Sequence, residues 1–571
     1  MKLSRAAWAP VSVLALAALS VLAAVSSQAP PAPAEHIHFE DITRAAGIHF
    51  VHNNGAFGKK YLPETMGPGV AFIDYNNDGW QDLFFVNGTR WPGHPGSVTT
   101  PALYRNNHDG TFTDVTKQAG LAIPMYGLGV TVGDYDNDGY DDLFVTAYGQ
   151  NHLFHNNGNG TFTDVTKKAG LWGPSELSTS AAWVDTTRDG LLDLVVANYV
   201  DWSPEKDLYC TMDGVHKSYC TPESYHGASL RLWHNNGNGT FTDETKESGL
   251  YDPTSKSLGI AILDANQDGF PDIAVSNDTE PNKLYINNRN GTFTEKGIPE
   301  GIAYSEDGVA RAGMGIDAAD YDQSGYPSLL ITNFSNQMIG LYQNQENGLF
   351  VDVAPTSQVG RTSLLTLGFG CFFFDYDLDG WPDIFVADGH LDPAIESIQH
   401  RVHYAEPPHL YRNLDGKNFV DVAAQMGAAF DTPRVARGAA YGDILNDGAL
   451  DIAITTNGGP AQLFLNEGAT NHALRLKLVG TKSNRDGIGS VVWVKSPTTS
   501  QKQMLRSGSS YLSASELLLT FGLGSSTRAE IIEVHWPSGA VTRLTNVPAD
   551  QILTIREGSG IIHAEPFRKR R

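Results

Sequence analysis

A nine-residue pattern recurs along this chain: aspartate first, acidic or amide residues at alternate positions, glycine sixth, aspartate ninth. Copies begin at Asp74 (DYNNDGWQD), Asp134 (DYDNDGYDD), Asp185 (DTTRDGLLD) and Asp264 (DANQDGFPD), then at Asp320 (DYDQSGYPS), Asp375 (DYDLDGWPD) and Asp443 (DILNDGALD). Their starts lie 60, 51, 79, 56, 55 and 68 residues apart. A period of that length belongs to a propeller or solenoid, whose supersecondary units cannot bury their apolar faces alone. No other feature restricts the fold as much.

The flanks define the unit. VAFID precedes the first loop and DLFFV follows it; VTVGD and DLFVT do the same at the second. Such short β-branched and aromatic runs are strands, so each copy sits at a β-hairpin tip. A second motif alternates with the first: LYRNNHDGTFTDVT, LFHNNGNGTFTDVT, LWHNNGNGTFTDET and LYINNRNGTFTEKG, with weaker versions at LYQNQENGLFVDV and LYRNLDGKNFVDV. These read as strand, Asn/Gly turn, strand. Two hairpins give four strands, which make one blade. The seventh unit stops at LFLNEG, 463–468, without its fourth strand, and an orphan strand of that type stands at IHFEDITRAAGI, 37–48. The N-terminal strand is therefore expected to complete the last blade and leave no open sheet edge. The expected fold is all-β, a seven-bladed β-propeller over residues 37–468.

The loops carry recognisable chemistry. Alternate side chains point into one concavity, the glycine permits the sharp turn, and every ligand is an oxygen. That set favours a hard cation with six or more ligands, Ca²⁺ over Mg²⁺. The first loop offers Asp74, Asn76, Asp78, the Trp80 carbonyl and Asp82. The second offers Asp134, Asp136, Asp138, the Tyr140 carbonyl and Asp142. At the third, Asp185, Asp189, the Leu191 carbonyl and Asp193 accompany Thr187 in a weaker third position. The fourth holds Asp264, Asn266, Asp268, the Phe270 carbonyl and Asp272. The sixth holds Asp375, Asp377, Asp379, the Trp381 carbonyl and Asp383. Two copies are poorer. Asp320 and Asp322 are followed by Ser324, with Ser328 at the ninth position, and Leu445 interrupts the set Asp443, Asp447 and Asp451. Four or five structural Ca²⁺ are expected. An EF-hand is excluded, because the twelfth position counted from Asp74 is Phe85, not Glu. The alternative is Asx-turn chemistry without metal.

Composition limits the partners. The chain has 571 residues, 64 Asp+Glu and 40 Lys+Arg, a formal charge of -24, which argues against nucleic acid. MKLSR followed by an apolar Ala/Leu run reads as a signal peptide over 1–29, with PPAPAEH as a stiff linker over 30–36. The alternative is an uncleaved anchor, since the run is nearly long enough to span. With the signal removed, no membrane span remains, and the protein is expected to be exported, periplasmic or extracellular. Export permits a disulfide between Cys210 and Cys220, leaving Cys371 as a buried thiol.

After Asn471 the repeat ends and six strand candidates follow, from HALRLKLVG to QILTIRE, forming a small all-β domain over 469–558 with a tail over 559–571. The repeats resemble the FG-GAP/VCBS type found in integrin α-subunit heads. LVGTKSNRDGIGSVV, RSGSSYLSASELLLTFGLG and IEVHWPSGAVTRL resemble the ASPIC/UnbV domain. With KKYLPETMGPGVAFIDYNNDGWQDLFFVNG and VARAGMGIDAADYD, nearly the whole mature chain is similar to the cartilage acidic protein family, as a bacterial-type member. That resemblance implies an extracellular or periplasmic calcium-binding propeller of adhesive character. It carries over no catalytic residue and no further cofactor.

A meandering blade sends its long, idiosyncratic connections to the face opposite the metal hairpins. That face is expected to bind a protein or glycan ligand. Two groups there could carry chemistry. His390, His400, His403 and His409 share an insertion with Asp388 and Asp392, against the simpler reading of scattered surface histidines. Glu64, Asp278, Glu280 and Arg311 lie near the axis, against the simpler reading of structural ion pairs. A glycan-active enzyme on this face, or an envelope scaffold subunit, are the competing functions.

Overall fold

The computed structural model describes residues 37–346 and 348–569. The signal and linker assignments therefore lie outside the described residues.

Seven antiparallel units of four strands follow one another. Five are separate sheets, and the second and third join into one eight-stranded sheet where Glu176 and Leu177 pair with Gly149 and Tyr148. The first comprises Val70–Ile73, Asp82–Phe85, Ala102–Asn106 and Phe112–Asp114. Burial falls from the inner strand outward, and the sequence follows it. VAFI and DLFF are wholly buried, ALYRN alternates, and FTD buries only its phenylalanine. Strands covered on both faces read as continuous apolar runs, whereas half-covered strands alternate. Each inner strand touches the inner strands of its neighbours, and the last, Ala436–Gly442, packs against the first. The ring thus closes. His38–Asp41 pairs antiparallel with Gln462–Glu467, so the N-terminal strand supplies the outer edge of the last blade.

The C-terminal module is a sandwich of two four-stranded sheets. It contains eight strands where six were expected. Val541–Pro548 and Gly560–Pro566 were missed because most of their residues are exposed, which leaves little apolar signal. The assigned tail is accordingly corrected: its first part is a strand paired with Gln551–Arg556. Beyond it, Phe567 packs on Gly448 and the exposed Arg568 lays its guanidinium 4.2 Å over the Trp80 ring.

Propeller and module interlock. Between two module strands, residues 506–516 enter the centre of the ring. Ala514 exchanges backbone hydrogen bonds with Val70 and Phe72, and the Val130 amide donates to the Leu512 carbonyl. The Ile316 amide donates to the Ser510 carbonyl, while the Ser510 hydroxyl donates to the Ala439 carbonyl. Ser507 bonds both amide and carbonyl of Trp183. Tyr511 reaches through to the Met66 carbonyl and packs edge-on against Phe369, 4.9 Å between ring centres. The fit is tight enough that a Cβ on Gly69 would lie 1.8 Å from the Leu512 carbonyl oxygen. A serine-rich segment thus fills the axis, its polar groups satisfied by the inner strands.

Candidate metal loops and the axial face

All seven hairpin loops fold alike. In six of them the first-position carboxylate accepts the amides of the fifth and sixth residues, as Asp74 does from Asp78 and Gly79 at 3.0 and 3.1 Å. In the fifth loop Asp320 accepts the Gly325 amide and the Ser324 hydroxyl, while the Ser324 amide turns to Asp322. The ninth-position carboxylate clamps the hairpin. Asp82 accepts the Tyr75 amide on one oxygen and the Asn106 amide on the other. In the fifth loop the Ser328 hydroxyl takes over this bond from Asn344, keeping the clamp but bringing no charge.

A role missed in the sequence belongs to the asparagine ending each third strand. Asn156 donates to the Tyr75 carbonyl in the preceding loop and to the Asp141 carbonyl in its own, at 2.8 and 3.0 Å. Asn235, Asn287, Asn344, Asn413 and Asn466 repeat the backward bond. Asn106 closes the circle onto Ile444. The signal was present in the sequence, as this asparagine follows every L-Y/F/W-x of the second motif. Its purpose was not, because the partner lies in another blade.

The loops differ in their charges. Ligand atoms of Asp134, Asp136 and Asp138 fall within 4.8 Å of one another, as do those of Asp136, Asp142 and His155, and of Asp375, Asp377 and Asp383. In the second loop, burial first and then the Asp486 carboxylate push Asp134 up to about 9. Such crowding is relieved by protonation or by a cation, and the His155 ring stands 3.4 Å from Asp136 and 3.3 Å from Asp142. The oxygen donors fit Ca²⁺ here. In the seventh loop the fully buried Arg475 guanidinium lies 3.1 Å from Asp443 and also grips Glu516. Leu445, which lacks a ligand, stands where the chain supplies its own positive charge. In the fifth, Lys502 donates to the Gly325 carbonyl at 2.8 Å, and burial first raises Asp320 to about 7. Arg412 stands beside Asp377 and Asp379 in the sixth loop, at 2.9 and 3.3 Å.

The module lies against this face. Arg475, Lys477, Asp486 and Lys502 all reach loop residues from it. The opposite face is left to the long connections. Trp91 stacks on Tyr126 at 4.3 Å, and Trp202 meets Trp91 and Tyr61 edge-on at 5.5 and 5.3 Å, so two long loops are tied by buried rings. The Cys210–Cys220 disulfide forms, with Cα atoms 5.2 Å apart, and Cys371 is buried and unpaired. The hairpin so closed exposes Tyr209 (69%) and Val215 (68%).

The histidine group does not converge. His390 is buried edge-on against Phe334, and burial lowers it to about 4; His409 bonds Asp421, and His403 pairs with Glu396. The axial charges separate similarly. Arg311 pairs with Asp352 at 2.8 Å and Glu280 with Lys256 at 3.2 Å. Glu64 accepts from Tyr219 at 3.2 Å, and burial first raises it to about 7. Asp278 alone lines an axial cavity.

A closed ring of antiparallel blades, carrying acidic hairpin loops under a docked β-sandwich, defines a β-propeller. The FG-GAP-like repeat model matches residues 74–145, 134–196, 207–275, 264–331 and 320–386, together more than half the chain. The chain belongs to that family, and residues 480–562 match the ASPIC and UnbV model. Cartilage acidic protein 1 of Mus musculus is 23% identical over 480 residues, covering 82% of this chain and 61% of that protein. The Homo sapiens protein is 22% identical over 498 residues, 86% and 62%. This chain therefore spans about three fifths of those relatives. Integrin alpha-6 of Gallus gallus is 34% identical over 89 residues, 15% of this chain and 8% of that protein. An Agrocybe aegerita lectin structure, described as recognising non-reducing terminal N-acetylglucosamine, has a TM-score of 0.37 at 17% identity over 62% of this chain and 79% of that one.

Proposed function

We propose that this protein is an exported, calcium-stabilised binding module of adhesive type, whose recognition surface is the propeller face opposite the metal loops. One observation carries the reading: the C-terminal module occupies the metal-loop face and the axis, leaving the face of variable loops open. Rigid scaffolds place binding on such loops. The disulfide suits an oxidising compartment. Four or five Ca²⁺ would be held by the first, second, third, fourth and sixth loops, through the residues named for each. When bound, the ion supplies charge neutralisation and couples its own binding to folding. Loop geometry, amide bonds and the asparagine circle are the chain's own contribution. The ligand class is protein or glycan. An enzyme would need converging buried acids, and the axial cavity holds one, Asp278.

The test is binding of the mature protein to immobilised extracellular proteins and glycans, compared with Tyr209→Ser and Val215→Ser. These residues are exposed, so the melting temperature should stay within about 1 °C. Loss of binding supports the face assignment. Binding that survives both changes and maps to the isolated surface of the sandwich overturns it.

A further inference from the structure

The axial cavity on the open face has a volume of about 200 Å³. Its floor is Tyr511, the fully buried tip of the segment that fills the ring, and its walls include Leu258, Met314 and Phe369 from the starts of inner strands. The module therefore builds the bottom of a site that opens on the far side of the propeller. An apolar cavity of about 150 Å³ is large enough for benzene. This one accommodates a single ring with a short side chain.

Its polarity is one-sided. Asp278, 5% exposed, accepts a hydrogen bond from the Tyr199 hydroxyl at 2.5 Å. No Lys, Arg or His lines the cavity, and no cationic side chain stands within ion-pair distance of Asp278 among the described residues. The nearby Lys256 is turned to Glu280, 3.2 Å away. Glu223, also at the rim, adds negative charge. Burial, only partly offset by the Tyr199 bond and by Lys256, holds the Asp278 carboxyl up at about 7, as expected of an acid with no counter-charge. The rings of Tyr199, Phe334, Phe369 and Tyr511 line the same cavity, the Phe369 ring also carrying the Arg437 guanidinium at 4.0 Å. Aromatic faces attract cations, and a buried carboxylate binds an ammonium through a charge-assisted hydrogen bond.

We propose that this cavity is a small-molecule site for compact hydrophobic amines, with the ring or alkyl body against Leu258, Met314 and Phe369 and the ammonium on Asp278. The site rests on the assignment of the open face as the binding surface and names a ligand class for its centre.

The probes are phenethylamine and its neutral isostere propylbenzene, titrated calorimetrically into the full mature chain at about pH 8, where an alkylamine is charged. Wild type should bind the amine saturably and at least tenfold tighter than propylbenzene. Asp278→Asn should erase that preference while retaining propylbenzene. Met314→Trp, which fills the cavity, should abolish both; if it does not fold, the Asp278→Asn pair decides. Equal affinity of the two probes for wild type, an amine preference that survives Asp278→Asn, or no saturable binding of either would overturn the proposal. Failure here leaves the face assignment standing, since the exposed hairpin variants Tyr209→Ser and Val215→Ser do not touch this cavity and are read by macromolecular binding.

Discussion

The second and seventh hairpin loops share one backbone path, yet they meet the same electrostatic demand differently. In the second, Asp134, Asp136, Asp138 and Asp142 crowd together, with Asp486 adding to the burden. In the seventh, Asp443 is matched by Arg475, a residue 32 positions further along and in another domain. The loop keeps its backbone path although Leu445 replaces an oxygen donor, with an internal cation standing at Asp443. A third solution stands in the module: Glu557 accepts the amides of Thr481, Lys482 and Ser483, at 2.7, 2.7 and 3.0 Å, and needs no cation.

The comparison breaks most readily under chelation. Removing Ca²⁺ should lower the melting temperature sharply, each vacated loop costing about 2.7 kcal/mol when the free ion is a hundredfold above its dissociation constant. Metal analysis should return four or five ions per chain. An unchanged melting curve with no bound calcium would leave the second loop without its cation. Next in size is Arg475→Ala, which strands the buried Asp443 and Glu516 and should cost about 3–5 kcal/mol in denaturant unfolding. That loss should be the same with and without calcium. A loss that calcium rescues would make the seventh loop a metal site after all.

Single loops give a finer measure. Asp138→Ala should remove one ion and about 2.7 kcal/mol under the same conditions, whereas Asp322→Ala should leave the ion count unchanged. The smallest effect concerns Glu557. Burial would raise its carboxyl, but the Ser538 hydroxyl and the three amides outweigh it and hold it at about 2. A folded value below the unfolded one stabilises the protein above the unfolded value, and that contribution fades as pH falls toward the folded one. The gap in urea midpoint between wild type and Glu557→Gln should be full above about pH 4.5 and shrink between there and about pH 2. A gap independent of pH would assign Glu557 a purely steric role.

Periodic features were legible in the sequence. Loop spacing, apolar inner strands and the orphan strand at residues 37–48 each repeat or complete a pattern, so the all-β propeller could be read directly. Features that depend on contact between distant segments were not legible. RSGSSYLSASE is polar and serine-rich, which marks a surface loop, yet it lies buried because the ring's inner strands satisfy its hydroxyls and amides. Arg475 reads as an ordinary strand residue until the loop it neutralises is placed beside it. Among the axial charges, only Asp278 kept the role of lining a cavity, because Arg311 and Glu280 found partners that spacing along the chain did not reveal.

The strand at His38–Asp41 pairs with residues more than four hundred positions downstream. Chain emergence is vectorial, so this strand leaves first and must wait, unpaired, for nearly the whole polypeptide. The ring cannot close before Glu467 has appeared, and its centre cannot fill before residue 516. Early blades are therefore an open arc with an exposed edge until the last strands are made, and closure is a late, long-range event of the slow kind. A molecule assembled in that order becomes compact only when its chain is nearly complete.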